Sequence, residues 1–505
     1  MSDKLLFEDA DWDFSTLDTV FNAVEDIALN DLGLNCYPNQ IEIISSEQML
    51  DAYSAHGMPL MYNHWSFGKV FAREETMYQK GQMGLAYEIV INSIPCISFL
   101  MEENTMTMQT LVMAHACFGH NHFFKNNYLF KQWTDAEGIL DYLSFAKRYI
   151  TTCEEQYGHE EVEAILDSAH AIMDHGVFRY QRPPRLSDEE QLTRVRERLA
   201  YDEANFNDLW RTLPAKEGDN AAAPDARTPV ETMVEEDQVR MKLPEENLLY
   251  FLEKHSPVLR PWQRELLRIV RNISQYFYPQ KQTKVMNEGC ATFTHHYIMH
   301  ELHARGQITD GSLLEFLHSH SSVIFQPEFD DPRYSGFNPY AIGFAMMEDI
   351  KRICEDPTEE DTAWFPHMAG KGKWREELKY AWENFRDESF IQQYLSPKVM
   401  RDFRLFSIHD NTDDPNYVVS GIHDEMGYRK VRTEFAKMFD IGRLEPNLQV
   451  VEANVRGDRK LVLQHAMNQG VPLDEKSRLK VMIHLERLWG HEVEFSAVDA
   501  SEIAA

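Results

Sequence analysis

Basic residues are scarce in this chain of 505: 50 Lys and Arg stand against 82 Asp and Glu, a formal net charge of −32. A surface this acidic repels phosphate, which excludes non-specific binding to nucleic acid. Long apolar runs are missing too. No stretch reaches the roughly 20 apolar residues a membrane-spanning helix needs, so no span is predicted. The opening MSDKLLFEDADWDF is acidic and lacks the basic-then-apolar order of a signal peptide, so the expected location is the cytoplasm. Cysteines are few: Cys36, Cys96, Cys117, Cys153, Cys290 and Cys354, none close to another. Without a CxxC pair there is no zinc ribbon and no thioredoxin-type motif, and a disulfide framework is not expected. HExxH is absent, since His300-Glu301-Leu302-His303 has the wrong spacing. GxSxG, the P-loop and GxGxxG are absent as well, so no nucleotide cofactor is expected. What is plentiful is apolar and aromatic content, 43% and 12%. That supports a large buried core and excludes global disorder.

The pattern of these residues predicts a mainly α protein with a mixed α+β core and a small C-terminal α+β domain. Trp12, Phe14, Leu17, Val20, Phe21, Val24 and Ile27 recur at helical spacing. LAYEIVINSIPCISFLME, residues 85–102, reads as a strand interrupted at Pro95. Asn104 and Thr105 are good caps for a following helix, TMTMQTLVMAHACF, which Gly119 is suited to end. A charged helix is predicted from about 187 to 211. Residues 213–247, rich in Ala, Pro, Asp and Glu, read as a flexible linker or loop. The divisions are 1–212, an α+β and helical first part; 213–247, the linker; 248–398, a helical second half; and 399–505, the tail. The tail reads ββα-ββα-β, with Arg456-Gly457-Asp458 as a turn, which predicts an antiparallel sheet separate from the helical body.

Two segments concentrate imidazole on otherwise apolar helices. MAHACFGHNHFF holds His115, His120 and His122, and MNEGCATFTHHYIMHELH holds Glu288, His295, His296, His300 and His303. A histidine on an apolar helix is more often a hydrogen-bonded structural residue than a ligand, so spacing has to select. His115 and His120 point about 140° apart on a regular helix. They converge only if Gly119 ends the helix or a π-bulge adds a residue. His115 and His122 share a face but sit about 10.5 Å apart along the axis, as do Glu288 and His295. The selected ligand set is therefore His115, His120 and Glu288, for zinc or another divalent metal, with His295 a further ligand or an outer partner. The order of strand, His helix and later Glu helix is that of zincin peptidases of the gluzincin type. Residue 116 is Ala, however, so the carboxylate beside the first His is missing and hydrolysis needs another general base. Glu102 and Glu103 suit either a cleft wall or a helix N-terminus. His318 and His320 suit a bend. Tyr334, Tyr340 and Trp65 are read as packing or hydrogen-bonding residues.

Ten stretches carry a family resemblance. They include YPNQIEIISSEQMLDAY, HWSFGKVF, GQMGLAYEIVINS, MEENTMTMQTLVMAHACFGHNHFFKNNYLF, QYFYPQKQTKVMNEGCATFTH, FLHSHSSVIFQP and YSGFNPYAIGFAM. In this order they resemble the SpoVR family (stage V sporulation protein R-like), of the proteobacterial type. The resemblance implies a stress, starvation or sporulation factor, the last through formation of the spore cortex. It also implies two partners, a AAA+-type serine protein kinase and a von Willebrand-type protein. It transfers no established catalytic residue. Where the family motif reads NEGWATFWHY, this chain has Cys290, Thr294 and His296 in the Trp, Trp and Tyr places. Position 122 is a small polar residue in relatives, which makes His122 and His296 weaker ligands than the other four.

Overall fold

The computed structural model describes residues 5–55, 58–79, 88–179, 241, 243–328, 330–406, 408–409, 418–419, 425–455 and 457–500. The predicted helix at 187–211 and most of the predicted linker lie outside them. Helix α1 (Phe14–Asp26) starts where the Asp13 carboxylate accepts the Thr16 amide, and it buries Leu17, Val20 and Val24. A π turn, Ile27–Asp31, extends it.

Three strands follow. They are β1 (Asn39–Ile44), β2 (Glu88–Ile91) and β3 (Cys96–Met101), in the spatial order β1-β3-β2. β3 runs parallel to β1 and antiparallel to β2. The interruption at Pro95 is thus a reversal of the chain, and Glu88 opens an edge strand opposite Leu100. Helices α2 (Ser46–Ser54) and α3 (Trp65–Gln79) lie between β1 and β2 in the chain, and Met49 and Leu50 of α2 pack with Ile89 and Met101.

The His helix runs α4 (Met106–Met113), a π segment (Ala114–His120) and α5 (Asn121–Asn126) without a break. Gly119 does not end it. The glycine serves close packing instead: a Cβ there would lie 2.5 Å from the Cα of Ala291. Then come α6 (Tyr128–Trp133), α7 (Ile139–Tyr157), α8 (His159–Ala171), α9 (Leu248–His255) and α10 (Pro261–Gln282). The Glu helix is α11 (Lys284–Ala304). It is followed by α12 (Asp310–Val323), α13 (Pro339–Glu355), α14 (Glu359–Trp364), α15 (Trp374–Asn384), α16 (Asp387–Tyr394) and α17 (Pro397–Asp402). Gly289 of α11 and Gly343 of α13 meet backbone to backbone, and a Cβ on Gly343 would lie 2.3 Å from the Val285 carbonyl oxygen.

The tail contains the short antiparallel pair β4 (Ile408–His409) and β5 (Val418–Val419), then α18 (Glu425–Lys437) and α19 (Ile441–Leu444). It ends with β6 (Asn447–Ala453), β7 (Leu461–Met467), α20 (Glu475–Trp489) and β8 (Val493–Asp499). The expected antiparallel sheet is mixed: β6 is antiparallel to β7, but β8 is parallel to it. Helix α20 supplies the crossover that a parallel pair requires.

The apolar residues form two main cores. One joins α1, the His helix, α11, α13 and α15 through α17, and it takes in Phe435 and Ala436 of α18. The other joins α7–α10 to the tail sheet: Leu143, Leu166, Leu249 and Leu266 share it with Val450, Leu463, Leu488 and Trp489. The tail therefore does not stand apart from the helical body. Of the predicted linker, Met241 is buried, and Glu245 exchanges backbone hydrogen bonds with Val450 of β6 at 3.0 and 2.8 Å.

Candidate metal centre

The π segment settles how His115 and His120 are placed. In a π-helix the hydrogen bond closes over five residues, so positions five apart stack on one face. The Asn121 amide bonds to the Ala116 carbonyl, five residues back. The two imidazoles accordingly meet, with ring centroids 4.6 Å apart and planes nearly perpendicular. Asn121 holds the segment against β1: its side chain accepts the Tyr37 amide and donates to the Tyr37 carbonyl and to Asn39.

Helix α11 brings the carboxylate. Its N-terminus is fixed by Asp387, which accepts the Val285 and Met286 amides at 2.8 and 2.9 Å. One turn on, Glu288 Oε2 lies 3.9 Å from His115 Nε2 and 3.7 Å from His120 Nε2. Strand β2 adds an acid absent from the selected set: Glu88 Oε1 lies 3.6 Å from His115 Nε2. One donor atom from each of Glu88, His115 and His120 lies within 4.8 Å of the others. Donor atoms bound at about 2.0–2.2 Å to one tetrahedral ion stand roughly 3.3–3.6 Å apart. This group of three, which does not include Glu288, is therefore wider than a loaded site.

Each imidazole has its outer nitrogen engaged. His120 Nδ1 donates to the Asn287 side-chain oxygen at 2.9 Å, and its Nε2 is directed at Glu288. His115 Nδ1 faces His295 Nδ1 at 2.9 Å. This is the outer-partner arrangement that orients metal-binding histidines. His115 Nε2 and Glu288 Oε2 are buried without a hydrogen-bond partner. Burial and the nearby Glu288 push the Glu88 carboxyl up to about 8. Burial, with His120 second, holds His115 well below the usual imidazole range. The Tyr340 ring stacks over His115 at 6.4 Å, and its hydroxyl is raised by burial and by the Glu288 and Glu88 carboxylates. Among the described residues, the ion-pair partners of Glu88 and Glu288 are these imidazoles alone.

The other histidines go elsewhere. His122 accepts the Asn35 amide at 2.9 Å and packs edge-on against Trp382, a structural role. His296 lies beside Glu348 and His300, and His303 pairs with Asp310. His318 is exposed, whereas His320 is buried against His295. Glu102 and Glu103 are exposed in the turn before α4, and Trp65 donates to Asp167. Glu88, Asn287 and Tyr340 were not among the selected residues. A lone acid in the apolar, β-branched YEIVI was the available signal for Glu88.

A family profile described as SpoVR like protein matches residues 11–444, and a second, SpoVR-like C-terminal domain, matches residues 446–500. The chain belongs to the SpoVR family. A relative described as the uncharacterized protein YcgB of Escherichia coli (strain K12) is 54% identical over 489 residues, covering 97% of this chain and 93% of the relative. No solved structure matches. All four side chains of the centre fall within the first SpoVR profile, whereas the mixed sheet and α20 make up the second. Among the described residues, no helix is long and apolar enough to cross a membrane.

Proposed function

We propose that His115, His120 and Glu288 hold one divalent metal ion, zinc by ligand type, and that Glu88 is the general base that Ala116 cannot supply. The centre is then a hydrolytic one of the gluzincin kind, acting on peptide or cell-wall precursor bonds. The observation that carries this reading is the pair of half-buried carboxylates facing two imidazole Nε2 atoms, with no Lys or Arg ion-pair partner among the described residues. Buried acids without a positive partner are costly, and a cation at their common point offsets that cost. When bound, the ion supplies a water of lowered pKa. Glu88, 3.6 Å from His115 Nε2, would take the proton from that water once the cation holds it ionised. Tyr340, stacked on His115 and hydrogen-bonded to Glu288, would position that carboxylate. The zincin likeness rests on the order of β3, His helix and α11 together with this donor set.

The test is metal content by plasma mass spectrometry, alongside hydrolysis of peptide and muropeptide mixtures. The wild-type chain is expected to carry one ion, His115→Ala none, and Glu88→Gln one ion with hydrolysis reduced by about 10²-fold or more. Metal lost in Glu88→Gln makes Glu88 a ligand instead. A metal-free wild type removes the centre. Membership of the SpoVR family favours a second reading: a cytoplasmic stress, starvation or sporulation factor acting through a AAA+-type serine protein kinase and a von Willebrand-type protein. Co-purification with each partner tests it; unchanged binding by His115→Ala would separate this role from the metal.

A further inference from the structure

The imidazoles continue past the centre in a line. His115 Nδ1 meets His295 Nδ1 at 2.9 Å, and His295 Nε2 meets His320 Nδ1 at 3.0 Å. The three rings come from the π segment, α11 and α12, and none is more than 5% exposed. Aromatic rings hold two of them: Phe316 lies edge-on to His295 at 5.9 Å, and Phe344 lies edge-on to His320 at 4.9 Å. The nitrogens along this line meet other imidazoles, and rings so deeply buried are held in the neutral form. Each ring therefore carries one proton, on one of its two nitrogens.

That restriction couples the rings. An Nδ1···Nδ1 contact holds a single proton, so only two arrangements of the chain satisfy both contacts. In the first, His115 carries its proton on Nδ1 and donates to His295. His295 then carries its proton on Nε2 and donates to His320 Nδ1, and His320 keeps its proton on Nε2. His115 Nε2 is bare, as a ligand must be. In the second, every proton sits on the opposite nitrogen. His320 donates to His295, His295 donates to His115, and the His115 Nε2 proton points toward Glu88 and Glu288, 3.6 and 3.9 Å away, where a proton donor is favoured over a bare nitrogen.

We infer that His295 and His320 are positioning residues for the metal centre, and that loading the ion switches the tautomer of His115, His295 and His320 together. His320 acts at one remove. By accepting the His295 Nε2 proton it leaves His295 Nδ1 bare to hold His115 in the binding form. The inference rests on the metal reading above, because it is ligation of His115 Nε2 that selects the first arrangement.

Two measurements on the full chain test it. Nitrogen NMR of histidine-labelled protein, with and without zinc, reads the tautomers directly. The His320 proton is expected on Nδ1 in the zinc-free chain and on Nε2 after one equivalent. A His320 tautomer that is the same in both states overturns the inference, and no substitution is needed to see it. Zinc affinity, by competition with a chromophoric chelator, is the second measurement. His320→Leu removes the acceptor and is expected to weaken binding about tenfold, the lower end for partners outside the ligand shell. His320→Asn places an amide oxygen where Nδ1 was and is expected to restore wild-type affinity. Equal weakening by Leu and Asn, or no weakening by Leu, overturns the positioning role and leaves the metal reading standing. A wild-type chain that takes no zinc overturns both.

Discussion

His122 and His115 are seven residues apart on the same helical run, and both are almost wholly buried. Their surroundings separate them. His122 faces the Asn35 backbone and Asn126, and no carboxylate is among its hydrogen-bond or ion-pair partners in the described residues. His122→Ala leaves a cavity and an unpaired amide, so it is expected to destabilise the fold by roughly 2–4 kcal/mol while leaving metal content intact. His296→Ala is expected to leave it intact as well. A urea titration with metal analysis of the same samples checks both, and metal lost on His122→Ala would contradict the placement. At this scale much of the centre was legible. Imidazole on apolar helices is rare enough to notice, and the five-residue spacing of His115 and His120 left only a broken helix or a π-bulge. Glu88 was not legible as a site residue, because the end of a strand that meets a helix depends on sheet order. That order pairs β2 with β3 and is set by contacts distant in sequence.

Helix α11 shows how an element is tuned to carry a site. Its first turn bears no acid of its own; Asp387, from the start of α16, satisfies two of the orphan amides. Burial pushes the Asp387 carboxyl up to about 7, although the Val285, Met286 and Lys284 amides pull the other way. A carboxyl raised in the folded state binds more protons there than in the unfolded chain. Its contribution to stability is therefore full below the unfolded value near 3.8 and is lost as pH rises through about 7. Asp387→Asn removes that dependence and also weakens one cap contact. The variant is expected to melt below wild type near pH 4, with the gap narrowing up to about pH 7 and constant above it. Thermal melts of the pair between pH 4 and 8 check this, and a gap that widens with pH would contradict it. Local caps such as Thr105 were legible because their partners lie three residues on. Asp387 was not, since it is about a hundred residues from the amides it accepts. Gly119 was read as a helix end for the same reason: a glycine required by a neighbouring helix and one required by a turn look alike in sequence.

On the scale of the whole molecule, the boundary between the two SpoVR profiles, near residue 445, falls inside a shared core. Alternating apolar residues made the tail strands legible, but a strand's inner face does not say which helices cover it. Here α8, α9 and α10 do. The Ser256 hydroxyl donates to the Leu488 carbonyl at 2.7 Å, Glu245 is bridged to Val450, and Trp489 is fully buried with its indole N–H on the Arg459 carbonyl. A fragment limited to 446–500 would expose Val450, Leu463 and Leu488 to water, and so short a chain cannot offset its ordering entropy without that cover. The full chain is therefore expected to lose its tail sheet and its α7–α10 bundle in one transition. Trp489→Ala, which empties a large part of the common core, should cost about 3–5 kcal/mol and lower that transition as a unit. Hydrogen exchange read by mass spectrometry distinguishes the outcomes. Protection lost together in β7 and in α10 supports one cooperative unit. Loss confined to residues 446–500, with α10 still protected, would mean that the tail folds on its own terms and that the shared apolar surface contributes little to holding it.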